Sequence, residues 1–188
     1  KRFQAEDDLA LAKIGQEADR LNELIGQLLV LSRLESGAEL MAMESVDLTA
    51  LLRSVVADAD FEATLSGRRV VVLAADQATI AGSRELLRRA VENIIRNAAR
   101  YTAPGTRVEA SLSREGDRAL VVVRDYGPGV PAADLPHLFQ PFYRVAKARE
   151  RETGGTGIGL AIAMQAVKTH GGTVCVQNAD QSKGLIVT

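Results

Sequence analysis

A glycine-rich run that opens directly into an apolar helix limits the folds available to this chain. The run is Gly-Gly-Thr-Gly-Ile-Gly over residues 154–159, and the apolar spacing predicts a helix from about residue 158 to 169. Backbone N–H groups and the positive end of a helix dipole make such a junction a phosphate site. A dinucleotide-binding fold would need a strand directly before the glycines, and a P-loop would need Gly-Lys-Ser/Thr. The sequence has neither, so both folds are excluded.

The N-terminal segment has the heptad spacing of a helix that packs against another helix. Its apolar positions recur every three or four residues, at Leu11, Ile14, Ala18, Leu21, Ile25 and Leu28, with Leu24, Leu31 and Leu34 widening the stripe. A helix of about 30 residues is about 45 Å long, and we predict that nothing local buries so long a stripe. We therefore expect a dimerisation-type helix in residues 1–41, with Gly37 as its stop signal and a second unit in residues 42–188; the alternative is a helix that lies on its own domain.

Helical and extended patterns alternate through this second unit. Asp47 and Ser83 are predicted N-caps of helices that run to about residue 66 and residue 101. The predicted strands are 70–75, 107–113, 119–123, 173–177 and 185–188, with Glu-Gly-Asp at 115–117 as a hairpin turn. This order predicts an α+β fold with helices on one face of a mixed or antiparallel sheet.

Charge and composition exclude several classes of protein. Lys plus Arg number 23 against 24 for Asp plus Glu, and this balance lacks the cationic field of a nucleic-acid binder. The sequence has one cysteine and two histidines, which argues against a structural zinc site, and no apolar run approaches the roughly 18 residues of a membrane helix. Because the chain starts without Met and runs at once into a helical pattern, we expect a fragment of a longer protein.

The helix predicted after Ser83 carries a polar face beside its apolar stripe. Asn93, Asn97, Arg100 and Tyr101 follow one another at steps of four, three and one residues, which places them on one face. Carboxamide oxygens can bind a hard cation, and an arginine one turn on can neutralise phosphate oxygens. The face suits a Mg²⁺–phosphate ligand, although a polar helix face taken alone is more often only solvated.

An acidic residue leaves the central apolar strand and enters a glycine turn, in the sequence Asp-Tyr-Gly-Pro-Gly at 125–129. An ionised carboxylate only accepts hydrogen bonds, so Asp125 fits a donor such as the exocyclic amine of a base, and the glycines let a ligand approach the backbone. By itself such a string is more often only an ordinary turn. The charged stretch at 132–153 is predicted to be a lid, with Phe139 and Phe142 anchoring it against the core.

Together these segments resemble, in order and spacing, the four boxes of the GHKL ATP-binding fold. That fold is shared by sensor histidine kinases, type II topoisomerases, heat-shock chaperones of the ninety-kilodalton class and mismatch-repair ATPases. The asparagine, first glycine, phenylalanine and second glycine boxes correspond to residues 92–102, 125–130, 138–144 and 154–162. Arg-Glu-Thr-Gly-Gly-Thr-Gly and Leu-Leu-Val-Leu-Ser-Arg are most similar to Cpx-type envelope-stress sensor kinases. The resemblance implies a two-layer α/β sandwich of the GHKL (Bergerat) type with a mixed sheet, preceded by a long dimerisation-type helix.

The resemblance further implies that ATP and Mg²⁺ are the ligands. Asn97 would help to hold Mg²⁺, and Asn93 and Arg100 would lie toward the phosphates. Tyr101 would lie beside the nucleotide, and Asp125 would accept from the adenine amino group. The glycines of the first box would let adenine approach, and those of the second would hinge the lid and meet the phosphates. The remaining nucleotide-binding candidates are Gly127, Gly129, Phe139, Arg144, Gly155, Thr156, Gly157, Gly159 and Leu160.

The implied function is that of a sensor histidine kinase, which transfers the ATP γ-phosphate to a histidine for relay to an aspartate of a response regulator. The implied setting is a homodimer through the N-terminal helix, in the cytoplasmic domain of a bacterial inner-membrane protein. In this family the acceptor histidine precedes an acidic residue and Arg-Ser/Thr-Pro, a pattern that neither His137 nor His170 has. The alternatives are a GHKL ATP hydrolase, whose general base is a Glu where this chain has Asn93, and a nucleotide-binding pseudokinase or dimerisation module.

Overall fold

The computed structural model describes residues 2–36, 43–145, 155–179 and 183–188. The helices are α1 (Arg2–Ser36), α2 (Leu48–Thr64), α3 (Arg84–Tyr101) and α4 (Gly159–Thr169), with a 3₁₀ turn at Leu135–His137. The strands are β1 (Glu44–Asp47), β2 (Arg69–Ala75), β3 (Thr79–Gly82), β4 (Arg107–Glu115), β5 (Arg118–Arg124), β6 (Val176–Asn178) and β7 (Leu185–Val187). Within the described ranges, no helix is both long and apolar enough to cross a membrane.

The main sheet is mixed, as predicted. Its strand order is β2-β4-β5-β7-β6, in which β2 runs parallel to β4 and the other neighbouring strands are antiparallel. The predicted hairpin between β4 and β5 is confirmed. Strand β6 starts three residues later than predicted, although Cys175 still exchanges two backbone hydrogen bonds with Thr188, at 2.7 and 2.9 Å.

A second, two-stranded sheet was not predicted. Strands β1 and β3 pair antiparallel, with Val46 opposite Ile80. Each has four residues, too few for a period-2 pattern to be recognised.

Helices α2 and α3 cover one face of the main sheet. Val55, Ile95 and Val108, from α2, α3 and β4, are each no more than 1% exposed and belong to one core cluster. Both predicted N-caps are present: a carboxylate oxygen of Asp47 accepts from the Ala50 N–H at 2.9 Å, and the Ser83 hydroxyl accepts from the Leu86 N–H at 3.4 Å. The α+β two-layer fold is thus confirmed, and α3 is fixed with its polar face turned away from the sheet.

The C-terminal half of α1 packs on the second unit. Leu31 and Leu34 are buried in a cluster with Leu86, Ile158 and Ile162 from α3 and α4. The prediction that nothing local buries the apolar stripe is therefore wrong for these turns, because the leucines that widen the stripe face α4. The heptad positions themselves remain exposed, among them Leu11, Ile14, Leu21, Ile25 and Leu28. Gly37 and the predicted boundary at residue 42 lie outside the described residues.

His170 joins the end of α4 to the start of α3. Its Nε2 accepts from the Ser83 N–H at 2.9 Å, and its Nδ1 lies 2.7 Å from the Ala166 carbonyl oxygen. In this pairing Nδ1 is the donor and Nε2 the acceptor, so the ring bridges the two helices. A Cβ on Gly82 would lie 2.6 Å from the same ring, which leaves room only for glycine.

Replacing His170 with alanine should lower the free energy of unfolding by about 1–3 kcal/mol, because the Ser83 N–H loses its acceptor. Urea unfolding at neutral pH measures this change. Arg53→Ala, at an exposed position of α2, should change stability by about 0.5 kcal/mol or less and serves as the control. Equal effects of the two substitutions would refute the bridging role.

Candidate functional site

A cavity of about 990 Å³ lies where α3, the turn after β5, the start of α4 and the segment before β7 meet. Of the predicted nucleotide-binding residues, the following line it: Asn93, Asn97, Arg100, Tyr101, Asp125, Gly127, Gly129, Arg144, Gly155, Thr156, Gly157, Gly159 and Leu160. The fold thus brings together four motifs that are far apart in the sequence.

Helix α3 supplies one wall of this cavity. Its apolar stripe is anchored in the core by side chains such as Ile95 and Ala98, which are 0% and 4% exposed. Asn93, Asn97 and Arg100 then point into the cavity from the opposite side of the helix. Amide oxygens and a guanidinium at one wall can hold a cation together with an anion.

Asp125 lines the same cavity, directly after β5, and is 5% exposed. Its Oδ1 accepts from the backbone N–H groups of Gly127 at 2.8 Å and Leu185 at 3.2 Å. Both bonds use the same oxygen, so Oδ2 can accept from a ligand donor. Burial raises the pKa of Asp125 above its ordinary value, against the opposing effect of the two N–H donors and of the Arg124 charge.

Stability should depend on pH through Asp125 in a defined direction. Below the ordinary pKa of Asp125, the carboxyl is protonated in both the folded and the unfolded state, and its contribution to stability is fully present. As pH rises above that value, the unfolded state releases its proton first, so stability falls, and the contribution is lost once pH has passed through the raised folded pKa. Relative to Asp125→Asn, the wild-type chain should therefore lose stability from mildly acidic to neutral pH in urea unfolding. A wild-type chain that instead gains stability over this range would contradict the buried, desolvated carboxylate.

Gly127 is required by the protein itself. A Cβ at this position would lie 2.5 Å from the Tyr101 carbonyl oxygen and 2.9 Å from Asp125 Oδ1. The turn therefore packs directly on the end of α3, and the side on which a Cβ would stand is filled by backbone. This packing holds Asp125 against α3, and Gly127 also lines the cavity, so its predicted role in letting a base approach stays a prediction.

Gly157 has a similar position in the second glycine box. Its φ is +75°, a left-handed conformation that favours glycine, and a Cβ would lie 3.0 Å from the backbone of Phe142. Its carbonyl oxygen accepts from the Phe142 N–H at 3.0 Å. The glycine box is thereby tied to the segment that was predicted to be the start of a lid.

Phe142 does not anchor the charged stretch against the core, as was predicted. It is 55% exposed and has a φ of +65°, because the backbone turns there to reach Gly157. Phe139 is half-buried and is not among the residues that line the cavity, and its contact with the ligand stays a prediction. Tyr143 takes the anchoring place: its hydroxyl bonds to Asp134, and its ring centroid lies 5.3 Å from that of His137. Lys147, Arg149 and Arg151, the basic residues further along the charged stretch, lie outside the described residues, so their expected position facing a polyanion stays a prediction.

Several cavity residues were not found from the sequence. Gln27 reaches the cavity from α1, where its Oε1 accepts from the Thr156 hydroxyl at 2.6 Å. Asn178 fixes the glycine turn through two hydrogen bonds to the Val130 backbone, at 2.7 and 2.9 Å. Nothing in their local sequence marks either residue, since each contact joins segments that are distant along the chain.

Proteins of known family are similar in sequence to this chain. Residues 82–188 match the family described as histidine kinase-, DNA gyrase B-, and HSP90-like ATPase. The sensor histidine kinase CpxA of Escherichia coli (strain K12) is 38% identical over 170 residues, which cover 90% of this chain and 36% of that protein. The chain therefore spans little more than a third of the length of that relative.

Two solved structures are similar in fold to this chain. The mycobacterial sensor histidine kinase MprB aligns with a TM-score of 0.69 at 31% identity, covering 77% of this chain and 94% of that one. Full-length ShkA, solved in complex with AMPPNP, aligns with a TM-score of 0.78 at 27% identity, covering 92% of this chain and 35% of that one. The matched family region includes the cavity walls formed by α3, the glycine turn and α4, and the chain belongs to the family of histidine kinase-, DNA gyrase B- and HSP90-like ATPases.

Proposed function

We propose that the chain is the ATP-binding catalytic portion of a two-component sensor histidine kinase. It would bind ATP and present the γ-phosphate to a histidine on a helix outside this chain, for relay to an aspartate of a response regulator. The observation that carries the proposal is the cavity in which a polar helix face, a buried carboxylate and a glycine-rich helix start meet. The relatives named as sensor histidine kinases, and the ShkA complex with AMPPNP, support it.

The side chains that line the cavity suggest where the base and the triphosphate of the nucleotide would bind. Asp125 Oδ2 would accept from the exocyclic amine of adenine, because a buried carboxylate is a strong acceptor for such a donor. The triphosphate would lie between α3 and the start of α4, where Arg100 lies beside Gly155 and Asn93 beside Gly159. Backbone N–H groups at a helix start favour an anion there.

The oxygen ligands available in the cavity suit Mg²⁺. Among the residues that the structure describes, no cluster of three or more His, Cys, Asp or Glu side chains is arranged to hold a metal ion. A cation in the cavity would therefore take oxygen ligands from the Asn97 carboxamide, the phosphates and water, which is how Mg²⁺ is usually held. When bound, Mg²⁺ would offset charge on the phosphates.

A kinase fits the cavity better than a hydrolase does. Hydrolysis needs a general base for water, and the position of that base in the hydrolase branches is occupied by Asn93, whose carboxamide cannot take a proton. The neighbouring Glu92 forms an ion pair with the Arg88 Nε at 2.7 Å and does not line the cavity. Transfer to a histidine needs no such base, because catalysis then consists mainly of positioning and charge stabilisation.

The proposed function implies binding partners and a cellular location for the chain. The apolar seam of α1 is exposed along Leu11, Ile14 and Leu21, and burying it against a second copy would give the homodimer. A response regulator would receive the phosphoryl group. The parent protein would be a bacterial inner-membrane sensor with this portion in the cytoplasm.

Calorimetric titration with a non-hydrolysable ATP analogue, with and without Mg²⁺, tests the nucleotide site. We expect saturable binding that Mg²⁺ strengthens and that Asp125→Asn weakens, because the amide presents an NH₂ group where the carboxylate accepts. Absence of binding at millimolar analogue would refute the proposal and favour a dimerisation module. Binding accompanied by phosphate release from ATP, without transfer to any histidine, would favour a hydrolase.

A further inference from the structure

The turn that carries Asp125 is held from the face of the sheet opposite the helices. Tyr126 follows Asp125, and its side chain lies on that outer face, where its hydroxyl donates to Glu109 Oε2 at 3.0 Å. Glu109 lies on β4 between Val108 and Ala110, which are buried on the helix side, and so it points outward. The hydroxyl of Tyr126 thus ties the start of the glycine turn to the neighbouring strand.

Glu109 is itself immobilised. Its Oε1 accepts from the Nε and the Nη2 of Arg107, both at 2.9 Å, and its side chain is only 12% exposed. The Arg124 guanidinium lies 4.6 Å from the centroid of the Tyr126 ring, on the same face. We call Arg107, Glu109, Arg124 and Tyr126 the outer-face cluster.

The backbone of Tyr126 is fixed as well. Its N–H donates to the Thr102 hydroxyl at 3.0 Å, and its carbonyl accepts from the Ala103 N–H at 3.4 Å. Thr102 is 1% exposed at the end of α3. Tyr126 is therefore held by the outer-face cluster on one side and by α3 on the other, directly between Asp125 and Gly127. Any shift of Tyr126 moves the carboxylate of Asp125 and the N–H group that this carboxylate accepts from.

We propose that Tyr126 is a positioning residue, and that the outer-face cluster aims the Asp125 carboxylate and so sets the preference for a base with an exocyclic amine. This inference rests on the proposed function, because it takes the ligand of Asp125 to be adenine. Tyr126 also contributes to the lining of the cavity, but its hydroxyl bonds to Glu109 on the outer face of the sheet and therefore acts through Asp125. Carboxylate direction matters because a hydrogen bond weakens steeply as its angle departs from linearity.

The test compares titrations with adenosine and inosine triphosphates in the presence of Mg²⁺, since inosine has a carbonyl oxygen in place of the amine. Tyr126→Phe keeps the ring beside Arg124 and removes only the hydroxyl. It should weaken adenosine triphosphate binding by about tenfold, the lower part of the range for a hydrogen bond to a charged group. Inosine triphosphate binding should change by less than about twofold.

A second variant removes the other partner of the same bond. Glu109→Ala should also reduce selectivity for adenosine, and the double variant with Tyr126→Phe should show no further reduction, because both changes break one interaction. Arg118→Ala, at the far end of the same face of β5, is the matched control and should leave selectivity unchanged. Thermal unfolding of each variant verifies that it is folded.

The outcomes distinguish the positioning role of Tyr126 from the proposed nucleotide-binding function of the chain. Selective loss of adenosine triphosphate binding in both variants supports the positioning role. Equal loss of both triphosphates would show a merely structural role and would overturn the inference, as would unchanged selectivity. A wild-type chain that binds neither triphosphate overturns the proposed function and this inference together, whereas good adenosine triphosphate binding with unchanged selectivity in the variants overturns the inference alone.

Discussion

Replacing Asn97 with alanine should weaken binding of a Mg²⁺-loaded ATP analogue by about 100-fold, the upper part of the range for a contact to a charged group. Asn97 lines the cavity on the exposed side of α3, and it is the carboxamide that we assign to the cation. Without Mg²⁺, the wild-type chain and the variant should bind the analogue about equally weakly. Calorimetric titration under both conditions measures the difference.

Two comparisons make this result specific. Arg89→Ala, on the same helix but outside the cavity, removes an ion pair with Glu85 and should leave the affinity unchanged. Asn97 is not part of the buried core cluster, so its loss should change the unfolding free energy by about 0.5 kcal/mol or less. A variant that still binds the analogue with full Mg²⁺ dependence would remove Asn97 from the cation site.

Replacing Gly127 with alanine should lower both stability and nucleotide affinity. The added Cβ would lie 2.5 Å from the Tyr101 carbonyl oxygen, so the turn must move away from α3. Crowding of this kind costs about 1–3 kcal/mol of unfolding free energy. The movement also displaces the N–H that Asp125 accepts, and we expect the affinity for the ATP analogue to fall by about tenfold.

Gly116→Ala separates backbone strain from this displacement. Gly116 has a φ of +64° in the hairpin turn, and no atom lies within 4 Å of the position of a Cβ there. The substitution should cost about 1–2 kcal/mol through its left-handed conformation and leave the affinity unchanged. If Gly127→Ala binds the analogue as well as Gly116→Ala does, then the packing of the turn on α3 does not position Asp125.

Local patterns sufficed for most of the elements and for the positions of the motifs. Asp47 and Ser83 were predicted as caps because their side-chain chemistry acts within three residues, and the β4–β5 hairpin because its turn residues are adjacent. The steps between Asn93 and Tyr101 placed these side chains on one face because helical geometry is fixed.

Contacts between distant segments could not be predicted in this way. A heptad pattern shows that Leu31 and Leu34 need a partner but does not identify it, and α4 supplies it. The reversal at Phe142 depends on Gly157, and the place of Gln27 in the cavity depends on Thr156, which is 129 residues away. Such placements follow from how the elements pack and not from the residues alone.

Transfer of phosphate from γ-labelled ATP to a supplied two-helix hairpin is the most direct test of the proposed kinase function. The hairpin should carry a histidine followed by an acidic residue, and the chain is added with Mg²⁺. If the chain is a kinase, acid-labile label should appear on that histidine. No label should appear when that histidine is replaced, and the label should be lost with Asn97→Ala. Release of labelled phosphate with no label on the hairpin would contradict the account, because it would make the chain a hydrolase and not a kinase.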